Sequence, residues 1–315
     1  MKLTDFESFD GTLLKTYIFE PNSNAKAVVQ IAHGMQEYSA TYFEFANFLA
    51  DNGYIVVLFD QRGHGKSVQK QDLGKVGKEQ RNPVSLPADF DLKKLEDDIF
   101  WQTLADHILL TKKIKAKHQL PVYFVGHSYG SFVGQAYLEQ CKDMDKIVLI
   151  GSGYMKKTSV LFGKLVAKIG KKFKGKDSVA SLVEKLSFDR FKNKFATGSW
   201  ITSDEQETKK FYADELNGTP FSYGFYASLF SHQLKHPSKK ALENVDKSLP
   251  ILILGGQDDV IGDMGKGTTK LFESYKSFGL DVTMHLYPNL RHAILQEKEK
   301  TKIFDEILYF LDKNS

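Results

Sequence analysis

Val122-Tyr123-Phe124-Val125-Gly126-His127-Ser128-Tyr129-Gly130-Ser131-Phe132-Val133-Gly134 is the stretch on which the reading of this chain turns. Its β-branched and aromatic opening predicts a short buried strand, and the pattern over 132–140 predicts a helix. Between them stands Gly-x-Ser-x-Gly, a motif that demands a strand before it and a helix after it. The serine has to ride a sharp, strained turn, so glycines must flank it to let strand and helix backbones pass closely. The helix N-terminus behind the serine favours developing negative charge. Ser128 therefore reads as a nucleophile; the bland alternative is a strand-to-helix turn whose serine caps the helix.

Outward from that turn, short β-rich runs are predicted at 13–19, 27–32, 55–60, 122–126, 146–150, 251–255 and 282–287. Helical patterns lie between them at 42–51, 92–117, 132–140, 266–278 and 293–311. The alternation implies an α/β fold with a mainly parallel sheet flanked by helices. It breaks between Gly153 and Val245, where the chain turns lysine-rich and then aromatic-rich. The expected organisation is a core from 1–152 and 246–315 with 153–245 inserted. Length alone, 315 residues, suggests two domains, but one sheet domain with an insertion fits equally well.

A serine nucleophile needs a base, and the base needs an orienting acid. After the strand at 282–287 comes Pro288-Asn289-Leu290-Arg291-His292, which nominates His292 as base. After the strand at 251–255 come Asp258 and Asp259. Asp258 is favoured as the acid because it falls three residues beyond Gly255, and Asp259 reads as a solvated loop carboxylate. Two backbone N–H groups must meet at an oxyanion hole. Tyr129 supplies one, and Met35, in the loop His33-Gly34-Met35, is expected to supply the other. The His33 side chain reads as a loop imidazole bonded to backbone.

His33-Gly34-Met35-Gln36-Glu37-Tyr38-Ser39, Asp60-Gln61-Arg62-Gly63-His64-Gly65-Lys66-Ser67, Gly126-His127-Ser128-Tyr129-Gly130, the Asp258 loop and Arg291-His292 together resemble the α/β-hydrolase family, in its monoacylglycerol lipase and lysophospholipase-like branch. The resemblance covers both ends of the chain and implies that 153–245 is a cap over the site. It implies an esterase acting through an acyl-enzyme on monoacylglycerol- or lysophospholipid-like substrates, with no cofactor. The turn Arg62-Gly63-His64-Gly65 is, by the same resemblance, scaffold beneath the serine. Two departures stand out: Tyr38 replaces the usual His, which leaves catalysis intact, and Tyr129 replaces the usual Met, which bears on the acyl pocket.

Other classes fare worse. Gly65-Lys66-Ser67 resembles the end of a phosphate-binding loop, but Asp60 stands where its first glycine belongs. There is no G-x-G-x-x-G after a strand and no H-E-x-x-H. A net charge of +4 is too small to imply nucleic acid. Cys141, the single cysteine, reads as buried in a reducing compartment and has no metal-ligand spacing around it. Asp5, Glu7 and Asp10 stand where a signal peptide would be apolar, and no apolar run reaches membrane-span length; a cytoplasmic enzyme is expected. A peptidase is the enzymatic alternative and would need an acidic anchor in the cap. A non-catalytic binding protein on the same scaffold is the alternative of another class.

The insertion is charged unevenly. From Lys156 to Lys194 twelve cationic residues face Asp177, Glu184 and Asp189, a local excess of nine. Over 161–173 a helical wheel gathers Leu161, Phe162, Leu165, Val166, Ile169 and Phe173 on one face and Lys164, Lys168 and Lys171 on the other. That apolar face is expected to pack on the core, or else to lend transient affinity for anionic membranes. The aromatic run Phe221-Ser222-Tyr223-Gly224-Phe225-Tyr226 suits either an acyl pocket or the cap's own interior.

Overall fold

The structure, a computed structural model, describes residues 1–77, 98–188, 191 and 194–313. Among the described residues eight strands, β1 (Lys2–Glu7), β2 (Leu13–Phe19), β3 (Ala27–Ala32), β4 (Tyr54–Phe59), β5 (Val122–His127), β6 (Lys146–Ile150), β7 (Ile251–Gly256) and β8 (Val282–Tyr287), form one sheet. Their order is β1-β2-β4-β3-β5-β6-β7-β8. β1 and β2 run antiparallel to their neighbours, and the other pairings are parallel. β1 carries no apolar run, since only Phe6 of its six residues is buried, and the sequence pattern gave no strand there.

Helices cover both faces. α1 (Phe43–Asp51) and the last helix, α10 (Lys300–Asp312), bury Phe45, Leu49, Ile303, Phe304 and Ile307 against one face. On the other lie α2 (Ile99–His118), α3 (Tyr129–Gln140) and α9 (Lys266–Ser277), with Ile108, Val133, Leu271 and Tyr275 buried. The expected start of α2 at Leu92 lies outside the described residues. The predicted helix over 293–311 is split: a short turn at Ile294–Gln296 precedes α10. Glu297 between them turns its carboxylate back to the N–H groups of Arg291 and Ser203.

Register brings the carboxyl ends of the central strands level. Ala32 of β3 pairs with Gly126 of β5, which pairs with Leu149 of β6. Loops leaving these ends converge where open α/β sheets bind ligands.

Between β6 and β7 the chain forms α4 (Lys157–Lys174), α5 (Ser181–Phe188), α6 (Glu205–Ala213), α7 (Tyr223–Gln233) and α8 (Lys239–Leu242). α4 lies on α7 through small residues: a Cβ on Gly163 would meet the Phe230 ring at 2.8 Å, and one on Gly170 the Tyr223 ring at 2.2 Å. Close helix approach through Val160, Ala167 and Gly170 turns the bulky side chains outward. Leu161, Phe162, Leu165, Ile169 and Phe173 are 50–78% exposed, so the expectation that this face packs on the core is overturned for all but the half-buried Val166. Phe221, Tyr223, Phe225 and Tyr226 of this segment are buried in one cluster with side chains of α2 and α3.

Candidate active site

Ser128 sits between β5 and α3 at φ 52°, ψ −115°, a region costly for any residue with a Cβ. The flanking glycines explain how the turn closes. A Cβ on Gly126 would lie 2.4 Å from the Gly130 carbonyl oxygen, and one on Gly130 would lie 2.1 Å from that of Ala32. Nothing larger than glycine fits at either crossing.

The Ser128 hydroxyl lies 2.8 Å from His292 Nε2, and His292 Nδ1–H donates to Asp259 Oδ1 at 3.0 Å. The acid in this chain of hydrogen bonds is Asp259, which corrects the assignment to Asp258. β7 continues to Gly256, one residue beyond the expected strand end, so the residue three positions on is Asp259. Asp258 is half-buried, with its N–H donating to the Leu290 carbonyl. Asp259 is fully buried and also accepts from the Ile261 N–H at 2.8 Å. Burial opposes its charge, but His292 and the N–H groups of Ile261 and Gly262 outweigh burial and hold the carboxyl below its usual range.

Tyr129 begins α3, so its N–H has no carbonyl partner within the helix. The loop after β3 comes down over the serine: a Cβ on Gly34 would stand 3.2 Å from Ser128 Cβ. Both expected oxyanion donors, Met35 and Tyr129, thus lie in segments that border the hydroxyl. Beneath the loop is Glu37, to which the sequence reading gave no role. Its Oε1 accepts the Gly34 N–H at 2.7 Å and the Tyr42 hydroxyl, and lies 3.3 Å from His127 Nδ1. Burial opposes the Glu37 charge, yet His127, Tyr42 and His33 together lower its proton affinity. His127 Nε2–H in turn donates to the His292 carbonyl at 3.2 Å. A glutamate three residues after a loop glycine is the only signal the sequence carried for this brace.

The scaffold expectations for the other motif residues agree with their contacts. His33 Nε2 accepts the Gln61 N–H at 2.9 Å, and its Nδ1–H donates to the Gly34 carbonyl. Arg62 bridges Asp10 and Asp106 at 2.7 Å each, tying the β1–β2 turn to α2. The Tyr129 ring, where the resemblance expects Met, packs on Phe225 at 5.1 Å and beside His64 at 5.8 Å. Cys141 is buried. Among the described residues no group of three or more His, Cys, Asp or Glu is placed to hold a metal ion, and no helix is long and apolar enough to cross a membrane.

A cavity of about 250 Å³ opens beside the site, lined by Glu37, Tyr38, Glu44, Glu207, Lys210 and Asp214 among others. Its carboxylates are engaged: Asp214 accepts from the Tyr38 hydroxyl, Glu207 pairs with Lys210, and Glu44 with Lys300.

A strained serine linked through a buried imidazole to a buried carboxylate, at the carboxyl ends of a mainly parallel sheet, defines an α/β-hydrolase. The chain belongs to the Hydrolase_4 family, described as "Serine aminopeptidase, S33", whose model matches residues 23–299. It is similar to the monoglyceride lipase of Saccharomyces cerevisiae, 26% identical over 98% of this chain and 93% of that protein. It is also similar to the monoacylglycerol lipase of Mycolicibacterium smegmatis, 22% identical over 96% of this chain and 94% of the relative. A solved lipase in its open form shares the fold with a TM-score of 0.84, 23% identity and coverage of 99% of this chain and 98% of that one.

Proposed function

We propose that this protein is a serine hydrolase that cleaves carboxylic esters of single-chain lipids, monoacylglycerol- or lysophospholipid-like, through an acyl-enzyme. The observation that carries the reading is the continuous Ser128–His292–Asp259 hydrogen-bond chain on a strained turn. Ser128 Oγ attacks the ester carbonyl while His292 Nε2 takes its proton, and Asp259 holds the resulting imidazolium in place. The carbonyl oxygen becomes an oxyanion held by the Met35 and Tyr129 N–H groups. Collapse breaks the bond to the alcohol, which leaves with the proton from His292. Water then attacks the acyl-enzyme, giving its proton to His292, and the second collapse frees the fatty acid and restores the Ser128 hydroxyl. No step needs a cofactor.

The two relatives named above as acylglycerol lipases support the lipid ester over a peptide. The family's description favours a peptidase, which would have to capture a substrate ammonium. Asp214, Glu207 and Glu44, which line the cavity beside the site, already have partners, so this reading is the weaker. Residues 153–245 are read as the cap that shapes substrate access, and its lysine-flanked exposed face as a contact with anionic membrane surface. A cytoplasmic location agrees with the lone buried cysteine.

A panel tests the substrate class: monooleoylglycerol, lysophosphatidylcholine, p-nitrophenyl esters from acetyl to palmitoyl, and amino-acid amides, alongside labelling of Ser128 by a fluorophosphonate. Ester turnover with negligible amide turnover is expected. Faster amide cleavage overturns the lipid reading, and absence of labelling overturns the nucleophile.

A further inference from the structure

The general base, as read above, is covered by a strap from the insertion. Residues 197–203 cross the loop 291–297 and are fastened to it at both ends. Arg291 Nη1 donates to the carbonyls of Thr197 and Ser199 at 2.7 Å each and of Thr202 at 3.2 Å. The Ala293 N–H donates to the Ile201 carbonyl at 2.7 Å, and the Thr202 hydroxyl to the Gln296 carbonyl at 3.0 Å. Glu297, buried, accepts the Ser203 N–H and hydroxyl on one side and the Arg291 N–H on the other. Gly198 at φ 67° permits the clasp, since a Cβ there would lie 2.8 Å from Arg291 Nη1. Two of these fastening points, Arg291 and Ala293, are the residues immediately before and after His292.

The strap presents one large side chain to the base. The Trp200 indole lies with its ring centroid 5.7 Å from that of His292, planes inclined by 36°, and is backed by Phe188 stacked at 5.5 Å and 13°. Among the described residues the other ionisable groups around the imidazole are Asp259, from the loop after β7, and His127 at the end of β5 with Glu37 behind it. Arg291 spends its charge on strap carbonyls and on the Phe195 ring 4.0 Å away. Asp258 is half-buried in the loop nearby. The indole is therefore the aromatic surface that the cap adds to a ring otherwise held by core residues, at a distance where a cation is attracted to a π face.

We propose that Trp200 is a positioning residue for the reaction: held by the Arg291 clasp, it fixes the His292 ring and stabilises the imidazolium formed in both half-reactions. This rests on His292 acting as the base. An interaction that exists only with the charged ring raises kcat rather than lowering KM.

The test uses Trp200→Leu, which keeps an apolar cover without the π face, Trp200→Phe, which keeps a smaller one, Arg291→Met, and the Arg291→Met/Trp200→Leu pair. With p-nitrophenyl butyrate, Trp200→Leu should lose about three- to tenfold in kcat with KM within about twofold. The acid limb of its kcat/KM profile should move to lower pH by about half a unit. Trp200→Phe should recover most of both. Arg291→Met should resemble Trp200→Leu and add less than about twofold on top of it, because it acts through the indole. Unchanged kcat and acid limb in Trp200→Leu, a change confined to KM, or additive losses in the pair each overturn the proposal. Indole emission supplies a readout independent of turnover. The pH-dependent difference between wild type and Trp200→Phe should vanish in His292→Gln, and its survival there overturns the contact. Failure of Ser128 to react with a fluorophosphonate overturns the catalytic reading instead, and the emission titration still decides the contact.

Discussion

β3, β4, β5 and β7 bury every residue of their six-residue runs, whereas α4 turns five bulky apolar side chains to solvent and buries Val160, Ala167 and Gly170. Both segments carry bulky apolar side chains, α4 along one face only, and their neighbours differ. A strand inside a two-sided sheet meets helices above and below, so any large side chain is covered. A helix lying on one other helix is covered along a single stripe, and close approach selects the smallest residues for it. The same hydrophobicity therefore means core in one region and unpartnered surface in the other. The candidate site lies at the core ends, and the unpartnered surface in the inserted segment.

The sharpest way to break that division is at the elbow. Ser128→Ala should lower kcat by roughly 10⁴- to 10⁶-fold, because triad members act as a unit. Its melting temperature should stay within about 2 °C of wild type, since the hydroxyl contributes function rather than packing. Retention of more than about a tenth of the activity in clean protein would remove Ser128 from the mechanism.

Next in size is the acid. Asp259→Asn should cost about 10⁴-fold by favouring the wrong imidazole tautomer, while Asp258→Asn should stay within about threefold. Steady-state rates of the two variants decide it, and reversed effects would restore the original assignment to Asp258.

That pair also shows what the sequence could carry. The elbow was legible because sterics leave one solution: strand, glycine, strained serine, glycine, helix. His292 was legible from its place after a late strand. The acid was missed by one residue because strand ends fray at glycines, and Gly255-Gly256 gives no side-chain cue to which residue is last in register. In the insertion the wheel over 161–173 found the amphipathic helix but chose its inward face by hydrophobicity, and the helix packs by size. Trp200 and Glu37 escaped notice because their roles come from contacts across long stretches of chain, to His292 and to the Gly34 loop with His127, which no local pattern records.

Titration bears on the core. Burial lowers the proton affinity of His33, His64 and His107 in the core, the last to about 3 with His33 adding to the effect. These rings are neutral in the fold, and the unfolded chain takes up the extra protons below about pH 6.5. Their contribution is thus complete above that value and is lost as pH falls toward the folded values. Urea unfolding at pH 7.5, 6 and 5 should show stability dropping by up to about 1.4 kcal/mol per pH unit for each histidine. A flat stability profile would show these histidines exposed in solution.

The smallest effect expected concerns the unpartnered face itself. Phe162 and Phe173 stand out from α4, with Lys168, Lys172 and Lys174 exposed on the same helix and Leu182 and Leu186 exposed on α5. Contiguous apolar surface of this kind on a charged rim suits the headgroup region of a bilayer, where rings enter the acyl boundary and lysines meet phosphates. Each lysine near an anionic surface contributes about 1 kcal/mol at low ionic strength, and salt screens it. Co-sedimentation should therefore show binding to vesicles containing phosphatidylserine at low salt, weakened by 0.5 M salt, and little binding to phosphatidylcholine alone. Phe162→Ser with Phe173→Ser should reduce the bound fraction about tenfold, while turnover of soluble p-nitrophenyl butyrate stays unchanged. Equal, negligible binding to both vesicle types would leave α4 a structural cover. Equal binding that survives salt would assign the attraction to the apolar side chains alone and strip the lysines of their part.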